Sequence, residues 1–220
     1  MVEPLFHMYE CTSPLCGLRF PTDLTTFSFD SCPACSHKMV KSGEPFANFQ
    51  SSPESLTPLH ANVHLLLDNL RSTLNVGSIF RTANGAGVQE IYCCGTTPTP
   101  QHPKVKKSSL GAEITTEWSY APNGLKLANE LKQAGHIVIA LEKTANSSAL
   151  FDIQQVAKSN ITLVLGNEIS GIDPQILDIA DTVVHIPMYG SKSSINVAVA
   201  AGIALYFMVN MLSSPQRSSK

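Results

Sequence analysis

Three short constellations in this chain hold the polar and charged residue types that binding and catalytic sites use. Arg71 to Gly87 reads RSTLNVGSIFRTANGAG and sets Asn75 and Arg81 six residues apart. Leu163 to Ile172 reads LVLGNEISGI, an apolar run that ends at Gly166 and delivers Asn167 and Glu168. Ile186 to Tyr206 reads IPMYGSKSSINVAVAAGIALY, where a Gly/Ser loop hands Ser194 and Asn196 to a small-residue helical run. Amides, a hydroxyl, a carboxylate and a guanidinium can orient a substrate and stabilise charge that develops on it. A fourth constellation is of another kind. Cys11, Cys16, Cys32 and Cys35 follow C-x4-C-x15-C-x2-C, two thiol pairs of the sort that close tetrahedrally on zinc. Gly17 and Pro33 supply the turns that such short knuckles need.

Each constellation also has a plainer reading. Asn75 can open a helix whose N–H groups face an anion, with Gly77 allowing close approach and Arg81 an ion-paired surface residue. Glu168 can be an exposed residue of an ordinary strand-to-helix turn. Ser194 can be a helix N-cap with Asn196 in the first turn, and a capping turn can still present donors to a ligand. The four cysteines can be disulfides or free thiols, with His7 and His37 as substitute metal ligands. The start MVEPLFHMYEC shows no charged stretch followed by an apolar one, so an oxidising destination is not indicated. Cys93 and Cys94 close a strand pattern as small buried hydrophobes.

The elements that must position these residues follow from the patterning. At 220 residues and 43% hydrophobic, the chain supports one main domain and a small module. A net charge of −2 and 15% charged residues argue against a strongly basic, non-specific nucleic-acid binder. The organisation reads as a cysteine module over 1–40, a Ser/Pro/Gly linker over 41–60, an α/β domain over 61–212 and a frayed tail over 213–220. Strands are expected at Val63–Leu67, Glu90–Cys94, Ile137–Leu141, Ile161–Leu165 and Val183–Ile186. Helices are expected at Val76–Ala86 with Asn75 as N-cap, at Asn123–Ala134 with Gly135 just beyond, and from Asp173-Pro174 onward. Alternating strands and helices predict a mostly parallel sheet with helices on both faces. Ile195 to Leu212 is nearly all apolar, about long enough to span a bilayer. Asn196, Gly202 and Asn210 interrupt it and no basic cluster flanks it, so burial in a core or subunit interface is expected instead. The first strand is not followed by G-x-G-x-x-G, which argues against a nicotinamide-binding Rossmann enzyme.

The strings N-x-G-x-x-x-R-T-A, LGNE-x-x-G and IPM with its Gly/Ser loop and SINV resemble the three motifs of the SpoU/TrmH family of SPOUT RNA methyltransferases. Ile195 stands where that family usually has Leu. Lys107 to Ala112, KSSLGA, is similar to the family's K-T-S-L-G-A loop, and ALEKT at Ala140 to Thr144 to its ALE-x-T string. The resemblance covers about 61–210, and the cysteine module by itself resembles a zinc ribbon with structural Zn2+. It implies a SPOUT-type α/β fold with a C-terminal trefoil knot formed by about Ile161 to Leu205. It also implies a cytoplasmic homodimer joined through the last helix, acting on transfer or ribosomal RNA, with no membrane segment.

The implied reaction moves methyl from S-adenosylmethionine to a ribose 2′-hydroxyl. Carried over residue by residue, Asn75, Arg81, Glu168, Ser194 and Asn196 serve the reaction. Leu141, Leu165, Gly166, Asn167, Gly171, Ile186, Met188 and Ile195 surround the methyl donor. In the family the motif arginine is cast as the base. A guanidinium whose pKa exceeds about 12 is a poor base at neutral pH, so the expectation here is that Arg81 binds the target phosphate and lowers the hydroxyl pKa. The module is expected to dock RNA or protein. The alternative is a non-catalytic RNA-binding protein on the same fold, against which the retention of all five reaction-site residues counts.

Overall fold

The computed structural model describes residues 5–23, 28–47, 62–153 and 160–213, in two compact units, 1–56 and 57–220. In the smaller unit, β1 (Leu5–Cys11) is flanked by β2 (Arg19–Asp23) and β3 (Met39–Ala47), all antiparallel. Alternate β1 residues point inward, and Tyr9, Cys11, Cys32 and Met39 make a very small buried core. Phe29 meets Phe20 edge-on at 5.2 Å beside it. β3 runs on to Ala47, so 41–47, expected as linker, is paired with β1 instead. Ladder hydrogen bonds compensate there for a composition that alone reads as loop. Leu24, Phe27, the rest of the linker and 214–220 of the tail lie outside the described residues, while Ser213 ends a helix.

The larger unit opens with β4 (Val63–Asp68), α1 (Thr73–Ala86) and β5 (Glu90–Cys94). Next come α2 (Pro103–Ser109), α3 (Ala112–Thr115), β6 (Glu117–Ala121), α4 (Gly124–Gln133) and β7 (Ile137–Leu141). It closes with β8 (Ser148–Ala149), a 3-10 turn at Leu150–Asp152, β9 (Ile161–Leu165), α5 (Pro174–Ile179), β10 (Thr182–His185) and α6 (Val197–Ser213). The sheet order is β6-β5-β4-β9-β7-β10-β8, and every pairing is parallel. β4 and β9 are buried at all positions, the near-continuous apolar reading expected of central parallel strands. One face carries α1 and α6, with Phe80, Ile79, Ala201 and Leu205 in its core. The other carries α4 and α5, with Ala128, Leu131 and Ile176.

Two caps differ from the sequence expectation. α1 starts at Thr73 with Ser72 as N-cap, its Oγ accepting from the Asn75 backbone N–H at 3.3 Å. α6 is capped by Asn196 rather than Ser194, the Asn196 Oδ1 accepting from the backbone N–H groups of Ala198 at 2.9 Å and Val199 at 3.4 Å. Gly77 serves α2, not a ligand: a Cβ there would collide with the Ser108 side chain and lie 2.8 Å from the Val105 carbonyl. KSSLGA is the end of a helix capped by His102, followed by Leu110 and Gly111 in left-handed conformation. No helix among the described residues is long and apolar enough to cross a membrane.

Candidate active site

β4, β7, β9 and β10 end at the same edge of the sheet, and β9 returns between β4 and β7. Loops leaving strand C-termini where the order reverses are the usual ligand position in open α/β sheets. The three polar motifs lie in these loops. Glu168 follows β9 and faces the start of α1. Its Oε2 accepts from the Arg71 backbone N–H at 2.8 Å, and its Oε1 from the Ser72 backbone N–H at 3.1 Å and the Asn75 side-chain amide at 2.8 Å. Because a carboxylate only accepts, it fixes the Asn75 amide with NH2 toward Glu168. That leaves Asn75 Oδ1 to accept from Asn196 Nδ2 at 3.0 Å. Asn196 in turn caps α6. One hydrogen-bond chain therefore ties all three motifs together.

Burial pushes the Glu168 carboxyl up, but the bonds from the Arg71 backbone, the Asn75 side chain and the Ser72 backbone outweigh it. The carboxyl is held below the usual carboxylate range. The rest of its loop is equally constrained. Asn167 donates to the Asn69 carbonyl at 2.6 Å and accepts from the N–H groups of Ile169 and Ser170. Asn167 and Gly171 exchange backbone bonds at 3.1 and 3.0 Å. A Cβ on Gly166 would collide with the Gly171 backbone, and Gly171 itself sits at φ +75° against the Glu142 carboxylate.

A cavity of about 660 Å³ opens at this edge, lined by Asn75, Leu141, Leu165, Gly166, Asn167, Glu168, Gly171, Ser194, Ile195 and Asn196, among others. A smaller one of about 120 Å³ shares Leu141, Ser194 and Ile195 with it and adds Ile186 and Met188. Every residue expected around a methyl donor thus lines one of two adjoining cavities. Of the five expected reaction residues, four line the larger one. Arg81 lines neither. Six helical residues carry the chain about 240° round and about 9 Å along from Asn75, so within one chain it points elsewhere. It is exposed.

The sequence expectations give no site role to two carboxylates, Asp68 and the Glu142 of ALEKT. Asp68, 3% exposed, ends β4 and accepts from the Asp173 backbone N–H at 2.9 Å and the Asn69 amide at 2.8 Å. Burial raises its pKa. Glu142 accepts from the Ile172 N–H at 3.2 Å and lines both cavities. An acidic residue just after an apolar strand was the available signal for each.

In the smaller unit the four cysteines come together. Cys11 and Cys35 Sγ lie 3.4 Å apart, Cys16 and Cys32 3.8 Å, and all four sulfurs fall within 4.8 Å of one another. A tetrahedron of thiolates about 2.3 Å from zinc has S···S edges of about 3.8 Å, whereas a disulfide needs about 2.05 Å. The donor set fits zinc. Neither His7 nor His37 belongs to the cluster. Cys93 and Cys94 are fully buried, and burial pushes each thiol up to about 12.

Comparison with known proteins agrees with this arrangement. The SpoU rRNA Methylase family matches residues 62–206. A tRNA (guanosine(18)-2'-O)-methyltransferase of Aquifex aeolicus (strain VF5) is 30% identical over 159 residues, covering 70% of this chain and 71% of the relative. A 23S rRNA (guanosine-2'-O-)-methyltransferase of Burkholderia sp is 33% identical over 142 residues, 64% of this chain and only 56% of that relative. Among solved structures, the A. aeolicus TrmH/SpoU tRNA modifying enzyme superposes with a TM-score of 0.63 at 27% identity, covering 74% of this chain and 85% of the other. An AdoMet-bound rRNA methyltransferase from Sinorhizobium meliloti gives 0.65 at 26% identity, covering 82% and 67%.

Proposed function

The chain belongs to the SpoU rRNA Methylase family, and from that premise we propose that it transfers methyl from S-adenosylmethionine to a ribose 2′-hydroxyl of transfer or ribosomal RNA. The observation that carries this reading is the chain Glu168–Asn75–Asn196, which joins the three motifs along one wall of the cavity. When bound, S-adenosylmethionine supplies a methyl already activated on a sulfonium. The chain's own residues have to align an oxygen with that methyl and exclude competing geometries. The apolar wall of Leu141, Leu165, Ile186, Met188 and Ile195 holds the donor. Asn196 and Ser194 present polar groups toward the ribose.

Glu168 is not the base. Its carboxyl is held low and both oxygens are engaged. It is the anchor that sets the Asn75 amide, and through it Asn196. Arg81, which lines no described cavity of its own chain, reaches the site from the second copy of the homodimer, binds the target phosphate and favours the alkoxide electrostatically. The hydroxyl proton passes to water, and S-adenosylhomocysteine is the other product.

The four-cysteine module holds structural zinc through Cys11, Cys16, Cys32 and Cys35 and docks RNA or a partner protein. The protein acts in the cytoplasm as a homodimer through α6, a helix with no charged residue that leaves Val199 and Tyr206 each 54% exposed. The return of β9 into mid-sheet supports a trefoil knot over 161–205. The test is methylation of unmodified transfer and ribosomal RNA with labelled S-adenosylmethionine, followed by nucleoside mass spectrometry. A 2′-O-methyl nucleoside that disappears with Arg81→Ala is the expected result, with Arg81→Lys retaining part of the activity at a steeper pH dependence. Transfer to neither RNA, despite tight S-adenosylhomocysteine binding, would favour the non-catalytic RNA-binding reading. Full activity of Arg81→Ala at neutral pH would remove the role given to Arg81.

A further inference from the structure

A third cavity, of about 430 Å³, adjoins the donor cavity and is lined by Arg71, Ser72, Asn75, Glu168 and Ile169. It shares Asn75, Glu168 and Ile169 with the larger one, so the two meet at the same hydrogen-bonded amide and carboxylate. Only Arg71 brings a positive charge to either cavity's share of this wall. Its backbone N–H is spent on Glu168. Its guanidinium has no hydrogen-bond or ion-pair partner among the described residues. Elsewhere in this unit Lys126 and Lys132 are paired with acids. Ile169 is 77% exposed, a large apolar side chain beside a charged one at the rim of a polar pocket.

We propose that this third cavity takes the RNA strand itself, with the Arg71 guanidinium on a phosphodiester flanking the target ribose and Ile169 against the sugar or base. The inference rests on the methyltransferase reading above and adds the residue that seats the substrate. A planar guanidinium matches a phosphodiester's paired oxygens. Single-stranded nucleotides offer both the phosphate and an apolar face to pair with Ile169. The Glu168 carboxylate in the same wall does not forbid an anion here. It keeps its charge, but three hydrogen bonds tie both its oxygens to the Arg71 and Ser72 backbone and the Asn75 amide, whereas the Arg71 guanidinium has no such tie and can turn to an anion in the pocket. Arg71 is a positioning residue, distinct from Arg81, which lines none of the three cavities.

The test uses the full chain and separates binding from chemistry. Arg71→Ala keeps the backbone N–H that holds Glu168, so S-adenosylhomocysteine should bind as it does to the unaltered protein. The KM for the methyl-accepting RNA should rise about 10- to 100-fold, the range for losing one charged hydrogen bond, with kcat changing much less. The slope of log affinity against log salt should fall by about one for a short mixed-sequence single-stranded RNA oligonucleotide. Arg71→Lys should recover part of the affinity. An oligonucleotide with neutral methylphosphonate linkages should not distinguish Arg71→Ala from the unaltered protein. An unchanged RNA KM and salt slope for Arg71→Ala, in protein that still binds S-adenosylhomocysteine, would overturn the assignment. The oligonucleotide readout needs no turnover, so it judges this pocket even if the unaltered protein methylates no RNA, an outcome that would count against the reading of function alone.

Discussion

Asn75 is the residue on which the site turns, because among the described residues its amide alone hydrogen-bonds both Glu168 and Asn196. An amide can do this since it has a donor end and an acceptor end. Replacing it by Asp would set a second carboxylate where a donor now sits, 2.8 Å from Glu168 Oε1. Two carboxylates at that range share a proton and titrate as a pair, with one pKa raised. The expected outcome for Asn75→Asp is a kcat lowered about 10- to 100-fold near pH 8, recovering as pH falls and the pair takes up a proton. Asn75→Ala should show a comparable loss with no such recovery. Rate–pH profiles of both variants check this, and Asn75→Asp turning over normally near pH 8 would sink the bridging role. In the unaltered protein the sign is the opposite. The Glu168 pKa is lowered by folding, so its contribution is complete above the ordinary carboxylate value of about 4.3. It is lost only as pH falls through the lower folded value. Glu168 should therefore leave no inflection in a rate profile taken between about pH 6 and 9.

At the scale of elements, the loop between β9 and α5 is held by close backbone approach. Gly166 lies so near the Gly171 carbonyl carbon and the Ile172 nitrogen that a Cβ has no room, and both atoms are backbone that cannot rotate away. Gly166→Ala must open the Asn167–Gly171 bridge and shift Glu168. The expected cost is about 1–3 kcal/mol of stability, typical of overpacking, with S-adenosylhomocysteine affinity falling alongside. Thermal melts with and without that ligand measure both. A variant as stable and as tight-binding as the unaltered protein would show that the loop adjusts freely. The inner strands and long helices of this unit were readable from the chain, because β4, β9 and α1 carry unbroken or 3.6-period apolar runs that only burial explains, whereas the edge strands β6 and β8 carry no such run and were not expected. The caps were displaced by two or three residues for a physical reason. Ser72 and Asn75 are both good N-cap types, as are Ser194 and Asn196, and only the tertiary partner decides. Capping from Ser72 frees the Asn75 side chain to reach Glu168. Capping from Asn196 leaves its Nδ2 to reach Asn75. α2 and β3 escaped notice because one looks like a solvated charge run and the other like a Gly/Pro/Ser linker. Packing of Ser108 on Gly77 and pairing with β1 supply what local composition does not. The motifs named four residues that the fold brings to one cavity, but the exclusion of Arg81 from the cavity walls and the presence of Arg71 there required the fold.

At the scale of the whole molecule, the two units have unequal means of staying folded. The larger buries two layers of aliphatic side chains against a seven-stranded sheet. Among its described residues the smaller buries four apolar side chains as its core, two of them Cys11 and Cys32. So few apolar groups do not offset the chain entropy of a module this size, and a metal is the usual remedy. Its stability is therefore predicted to be metal-binding energy, separable from that of the larger unit. Two probes report the units independently. The single tryptophan, Trp118, lies in β6 of the larger unit, so its emission follows that unit alone. Four of the six cysteines form the cluster and the other two are fully buried in the larger sheet, so fast thiol reactivity follows the smaller. Purified protein is expected to contain one zinc per chain. A strong chelator should remove it and expose four fast-reacting thiols. Trp118 emission and the S-adenosylhomocysteine-dependent rise in Tm should stay as they were, while methylation of RNA falls. Thiols that remain protected after the metal is gone would show that the apolar core suffices and that zinc is dispensable. Loss of the Trp118 signal together with the metal would show that the units fold as one.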